Sequence, residues 1–361
     1  MAGSIVLPTM AFGASIQGVL DRPALKVREP AKCILIDVAM TDDRLVAVGE
    51  RGIIIYSDDA GDTWQQAQVP VSVGLTAVCF PSSQNGWAVG HGGVVLHTAD
   101  GGNTWERQLE GVQAAQMALE NARAKAGRVG AEDSDAQRMI DNATLMVKDG
   151  PDKPFLDLYF ENDRLGYIVG SYGLIFKTED GGATWKCLMD SVENPDGLNL
   201  YAIRATGDAI YLVGEQGLFL VSKDGGASFQ RVVTPYPGTY FDVYAYPSGE
   251  LLLIGLQGNA YWSADQGETF NKSEVDVGVS FTSVIQCRHD ILLFANQAGM
   301  ILESRDRGRT IKAIDVPRLA PVSSLAVLPS ADHDRHAIMT VGYGGALRVQ
   351  MPSSEDKGAQ P

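Results

Sequence analysis

Positive charge is what this chain has least of. Lysine and arginine number 29 against 44 aspartates and glutamates, a net charge of −15, and no stretch concentrates the basic residues. Such a surface repels phosphate backbones and anionic lipid, which sets aside nucleic acid and polybasic membrane docking and leaves basic or polar protein partners. Cysteine is scarce too. Cys33, Cys79, Cys187 and Cys287 are scattered without a C-x-x-C pair, so neither zinc nor a disulfide framework is expected. Cys33, Cys79 and Cys287, in or beside apolar runs, read as buried free thiols. No run of eighteen apolar residues offers a membrane span. Gly-x-Ser-x-Gly, P-loop and Rossmann motifs are also missing.

Glycine, by contrast, is plentiful at 40 residues, and much of it falls in a repeat. The stretch Ser57-Asp58-Asp59-Ala60-Gly61-Asp62-Thr63-Trp64 returns at 98–105, 178–185, 222–229, 263–270 and 304–311. Its pattern is Ser/Thr-x-Asp-x-Gly-x-Thr/Ser-aromatic, with isoleucine closing the last copy. The aspartates Asp59, Asp100, Asp180, Asp224, Asp265 and Asp306 lie 41, 80, 44, 41 and 41 apart, a period near 41 with one insertion. A period of that length built from short strands predicts propeller blades. The motif is the Asp box, a hairpin turn that holds itself. Asp accepts from nearby backbone N–H groups, Gly takes the positive-φ position, and Ser/Thr hydroxyls fasten the flanking strands. One carboxylate per turn is too few oxygens for calcium, so the reading is structural and no metal or other cofactor is expected.

A glycine turn stands eight residues ahead of each box, from Gly49-Glu50-Arg51-Gly52 to Asn296-Gln297-Ala298-Gly299. A seventh, Gly342-Tyr343-Gly344-Gly345, has no box after it. The runs between these markers, in the second repeat 75–80, 86–89, 94–97 and 105–108, give four strands per unit. The prediction is an all-β, seven-bladed β-propeller of four-stranded antiparallel blades spanning 19–351. Its last blade lacks an outer strand, and the apolar stretch 19–26 is the candidate to supply it. Residues 111–154 break the period. Helix formers at 113–124 and a second run from Ser134, an N-cap type residue, through 136–147 predict a helical insertion between blades 2 and 3. Its Met117, Leu119, Met139, Ile140, Leu145 and Met146 favour a hairpin packed on the ring over a methionine-rich partner surface.

The chain ends read differently. Residues 1–18 are small and apolar, and Ala11-Phe12-Gly13-Ala14 looks like a signal cleavage region, although the first positive residue is Arg22. Export to the periplasm is the expectation, the cytoplasm the alternative. A disordered tail is expected over 352–361.

In such blades the glycine turns ring one face, around the channel mouth, and the Asp boxes ring the other. The candidate binding residues are therefore Glu50, Arg51, His91, Tyr172, Glu215, Gln216, Gln257, Gln297 and Tyr343, which vary inside a frame of recurring glycines. Asp boxes also occur in sialidases. That reading requires an arginine cluster for the substrate carboxylate, and only Arg51 falls in this set. An Asp-box glycoside hydrolase or carbohydrate-binding propeller is the alternative. It would gather at least two carboxylates and an arginine in one channel mouth.

Units such as Gly86-Trp87-Ala88-Val89-Gly90-His91-Gly92-Gly93-Val94-Val95-Leu96-His97-Thr98-Ala99-Asp100-Gly101-Gly102-Asn103-Thr104-Trp105, echoed over 166–185, resemble the photosystem II stability and assembly factor family. The resemblance spans about residues 34–350. It implies a seven-bladed propeller outside the cytoplasm, acting without catalysis as an assembly factor for a protein client, with no nucleic acid partner. Photosynthetic members present an arginine-rich patch; here the local cluster is Arg305, Arg307 and Arg309 in the sixth Asp-box region. The insertion is closer to exported relatives in non-photosynthetic bacteria, which points to a client in membrane-protein or membrane-complex assembly, among them transporters.

Overall fold

In the computed structural model, the residues described are 18–130, 132–288, 291–329 and 337–352. The expected signal region, Gly18 apart, and the expected tail, Pro352 apart, lie outside them. Seven sheets follow one another along the chain. Blade 1 runs Leu35–Thr41, Arg44–Gly49, Ile54–Ser57 and Gln65–Gln66, innermost to outermost, each strand antiparallel to the next. Blades 2 to 5 repeat this order. The second strand of each blade is buried on both faces, as in Gly86–Gly90 and Leu251–Gly255, and therefore reads as an unbroken apolar run rather than an alternating one. Neighbouring sheets bury such runs against each other in successive apolar clusters around the ring.

Blade 7 has three strands, Val322–Val327, Ala337–Gly342 and Gly345–Gln350. Its glycine turn is one residue tighter than the others, since Gly342 pairs directly with Gly345. The outer strand expected from residues 19–26 is not there. That stretch lies instead along the crossover from blade 1 to blade 2. Ser72 N donates to Val19 O, Ala24 N to Val69 O, and Gln66 Nε2 to Leu25 O. Leu20 and Ala24 pack against the cluster holding Val69, Val71 and Trp105. The reason is local: this crossover presents both apolar side chains and unpaired backbone groups to the incoming chain. Further along, Val27, Ala31 and Cys33 pack against the cluster that holds Met339 and Val341 of blade 7, and Pro30–Lys32 comes so close that a Cβ on Gly345 would sit 2.0 Å from Ala31 O.

The insertion forms two helices, α1 (Gly111–Val129) and α2 (Ser134–Asp149). Glu110 caps α1 in a capping box with Gln113; Asp133, not Ser134, caps α2, its carboxylate accepting from Ala136 N at 2.8 Å. Leu119, Ala122, Ala143 and Met146 are buried against Phe155, Phe160 and Phe176 of blade 3, with Met117, Met139 and Ile140 packed beside them. Leu145 stays half exposed. The hairpin is thus part of the ring's side wall, as the packed reading expects.

All four cysteines are free. Burial pushes the thiols of both Cys187 and Cys79 up to about 12, although by exposed surface Cys187 is fully buried and Cys33, Cys79 and Cys287 only partly so.

Candidate functional site

The sequence reading places the chemistry on the glycine turns, and these turns share one geometry. Their third residue takes a left-handed conformation at Arg51 (φ 54°), Tyr172 (φ 58°), Gln216 (φ 53°) and Gln257 (φ 56°), where a side chain strains the backbone. The next residue is glycine of necessity: a Cβ on Gly258 would lie 2.3 Å from Val277 O. Several candidates serve the turn itself. Glu50 Oε1 accepts from Ile34 N at 3.3 Å, and Glu215 binds Asn199 through its N and Nδ2, both at 3.0 Å. These two glutamates cap the first strand of their own blades. His91 N donates to Gly74 O and Tyr343 N to Pro321 O, with both side chains exposed. Gln257 N donates to Ser280 Oγ.

Two candidates meet further structure. Tyr172, 46% exposed, lies under the Lys153 ammonium at 4.9 Å and borders a cleft of about 250 Å³. Lys125 of α1, Asp135 and Met139 of α2, and Met189, Glu193 and Pro195 of the blade 3–4 crossover are among the residues that line that cleft. Gln297 is the one candidate that lines the central channel, a cavity of about 280 Å³. The nine residues therefore share a face without forming one site. A larger cavity of about 420 Å³, bordered by Ala24, Gln66, Val69 and Trp105, lies on the ring's side beside residues 19–26.

The channel holds what the sequence reading missed. Asp37, Asp157 and Asp242 occupy the third position of the first strand in blades 1, 3 and 5. Each reaches to the next blade: Val78 N donates to Asp37 Oδ2 (2.9 Å), Ile203 N to Asp157 Oδ2 (2.9 Å) and Val284 N to Asp242 Oδ2 (3.3 Å). Arg204 of blade 4 links blades 3 and 5, bonding Asp157 at 2.5 Å and Asp242 at 2.9 Å. Thr76 Oγ1 donates to Phe155 O and Thr282 Oγ1 to Val322 O, both at 2.8 Å, while Ser324 bonds Asp37 from blade 7. Every pair of neighbouring blades is joined, so this belt closes the ring from within. The signal was present in runs such as Leu35-Ile36-Asp37-Val38 and Tyr240-Phe241-Asp242-Val243, where a carboxylate interrupts an apolar strand.

Burial dominates the belt's titration. It raises Asp37, and raises Asp242 to about 6 against the opposing pull of Arg204. Burial alone would lower Arg204, but the Asp157 and Asp242 carboxylates outweigh it and hold the guanidinium charged. That side chain keeps 37% of its surface open to the lumen while protein encloses it on all sides, so channel water screens the pair in part. Two carboxylates and an arginine do converge here, yet each carboxylate is already bonded to backbone N–H groups and, among the described residues, no second arginine lines the cavity.

On the opposite face the six repeated aspartates fasten their own turns. Asp59 Oδ1 accepts from Thr63 N and Ser57 Oγ, and its Oδ2 from Thr63 Oγ1, at 2.5 to 2.8 Å. Asp100, Asp180, Asp224 and Asp265 repeat all three bonds, and Asp306 keeps those to Ser304 and Thr310 N. These donors hold Asp59, Asp224 and Asp265 at about 2. Each arginine of the cluster is paired: Arg305 with Glu303, and both Arg307 and Arg309 with the single carboxylate of Glu250.

Comparison with known proteins agrees with this architecture. No curated protein matches the chain. Among solved structures, YCF48 bound to D1 peptide superposes with a TM-score of 0.63 at 17% identity, covering 92% of this chain and all of that one. YCF48 from Cyanidioschyzon merolae gives 0.61 at 15%, covering 89% and 95%. The WD40 propeller domain of Doa1 gives 0.63 at 9%, covering 93% and 97%, so the propeller shape alone does not single out a family. The sequence is more selective. The family described as photosynthesis system II assembly factor YCF48 matches residues 20–124 and 139–288, well over half of the chain, and the protein belongs to that family.

Proposed function

We propose that the protein is a non-catalytic assembly factor that binds an extended segment of a protein client on its glycine-turn face, outside the cytoplasm, in membrane-protein or membrane-complex assembly. The observation that carries the reading is the cleft where Tyr172 meets the helical insertion. It combines an exposed aromatic on a strained turn with Met139, Met189 and Pro195, and with Lys125, Asp135 and Glu193 as charged groups at the same cleft. Rigid aromatics beside adaptable methionines suit an apolar peptide chain. The family supports the same direction, since its members are assembly factors and a YCF48 structure holds a D1 peptide. The arginines, each engaged by a carboxylate, argue for a client other than one that seeks a free basic patch.

The carbohydrate-active alternative rests on Asp157, Asp242 and Arg204 in the lumen. Their bonds to backbone N–H groups make them a clasp, and a lone guanidinium already shared by two carboxylates has little left for a sugar acid. The test is capture of membrane proteins from the native organism by the wild-type chain, by Tyr172→Ala and by a variant lacking residues 111–154. The reading expects a defined client lost in both variants. Unchanged capture, or turnover of a sialoside by the wild-type protein, would refute it.

A further inference from the structure

A residue such as Tyr172, left-handed and with a side chain, keeps its conformation only where the surrounding bonds outweigh the strain. Part of that hold comes from the next blade. Tyr172 N donates to Asn199 Oδ1 at 2.7 Å, and Asn199 stands just ahead of the first strand of blade 4, Leu200–Thr206. Asn199 in turn donates from Nδ2 to Glu215 Oε1 and from its backbone N to Glu215 Oε2, both at 3.0 Å. A carboxylate only accepts and a backbone N–H only donates, so these two ends admit one orientation of the amide between them. Glu215 thereby sets Asn199, and Asn199 sets Tyr172, across the junction of blades 3 and 4.

The loop that delivers Asn199 is itself stapled. Asn194 Nδ2 donates to Leu198 O at 2.9 Å, and Leu198 N donates to Asn194 Oδ1 at 3.0 Å. This loop closes on the glycine turn so tightly that a Cβ on Gly173 would lie 2.8 Å from Asn194 Nδ2. A further hold comes from the end of α2. Lys153 Nζ, bonded to Asp149 Oδ2 at 3.0 Å and to Asp152 Oδ2 at 2.8 Å, stands 4.9 Å from the centre of the Tyr172 ring. The junction of blades 5 and 6 has a simpler form of the same device, in which Ser280 Oγ accepts from Gln257 N at 3.0 Å.

We propose that Asn199 and Glu215 are positioning residues of the client cleft, which hold the Tyr172 turn in its strained form so that the aromatic is set in place before a client arrives. The proposal rests on the protein-binding reading above and names residues that act through Tyr172 rather than on the client. A side chain already fixed does not have to be ordered on binding, which spares the affinity that loss. The requirement is a donor facing an acceptor at each step of the relay, whichever residue supplies it.

The test uses the full chain labelled with ring-fluorinated tyrosine, in which the Tyr172 signal among 12 tyrosines is identified by its loss in Tyr172→Phe. Asn199→Leu is expected to shift that fluorine NMR signal, while Ser280→Ala, the corresponding loss between blades 5 and 6, leaves it in place. Asn199→Asp sets two carboxylates face to face, and Glu215→Gln leaves one donor facing another whichever way the amides turn, so each single variant should shift the signal too. Combined, the two exchange roles. The new amide at position 215 donates to the new carboxylate at 199 and still accepts from the backbone N–H there, while the second carboxylate oxygen takes Tyr172 N. The signal should then return to its wild-type position, which a variant that merely misfolds would not do. Capture of membrane proteins from the native organism should follow the same order, falling at least about fivefold in each single variant and recovering in the pair. The proposal is overturned if Asn199→Leu leaves the signal unmoved, if the pair fails to restore it, or if capture that is lost in Tyr172→Ala persists in full in Asn199→Leu. Capture that survives Tyr172→Ala instead overturns the protein-binding reading, and the fluorine signals, which need no client, tell the two failures apart.

Discussion

The outer and inner aspartates of this ring are the same residue in opposite circumstances. Asp59, at the rim, is open to water and bonded by a hydroxyl pair and a backbone N–H, and its carboxyl is held at about 2. Asp242, in the channel, has comparable donors, yet burial lifts it to about 6 even beside a guanidinium. Solvation, not hydrogen bonding, decides the sign. The rim bond closes a blade on itself, so every blade with four in-chain strands carries it. The inner bond joins two blades, and it is made by Asp, Thr, Arg or Ser according to what the neighbour offers.

The largest test of that contrast is Arg204→Met. It strands Asp157 and Asp242 in a closed lumen and should destabilise the fold by about 3 kcal/mol, a value tempered by channel water. Urea unfolding checks it, and adding Asp242→Asn should restore part of the loss. Asp100→Ala removes rim bonds within one blade and should cost less, about 2 kcal/mol, by the same measurement.

Acid should separate the two sets. Rim carboxyls lie below their unfolded value near 3.8, so their stabilisation is present above that value and lost as pH falls through about 2. Asp242 lies above it, so its contribution is present below pH about 4 and lost as pH rises through about 6, with Asp37 acting in the same direction. Stability should therefore peak between pH 4 and 5, and Asp242→Asn should flatten only the arm from 4 to 6. The smallest effect belongs to the glycine turns. Gln257→Gly relieves a left-handed side chain and should stabilise by about 0.5 kcal/mol, read as a small rise in melting temperature.

The rim was legible because its chemistry is local. Four bonds between residues at most four apart write themselves into eight letters, and repetition makes them visible. Asp37 and Val78 are forty-one residues apart, and nothing in either neighbourhood marks the other. Residues 19–26 were misplaced for a similar reason: an apolar stretch announces that it will be covered, not by what. Glu50 and Glu215 looked like site residues because their positions are exposed turn tips, while their side chains fold back onto Ile34 and Asn199.

By itself the sequence determined seven blades, six self-fastened turns and a two-helix insertion, since each follows from bonds and periodicities within about forty residues. Only the tertiary structure decided how the ring closes. That depends on which side chains meet across blades: Ser324 finds Asp37, and Arg204 finds two carboxylates.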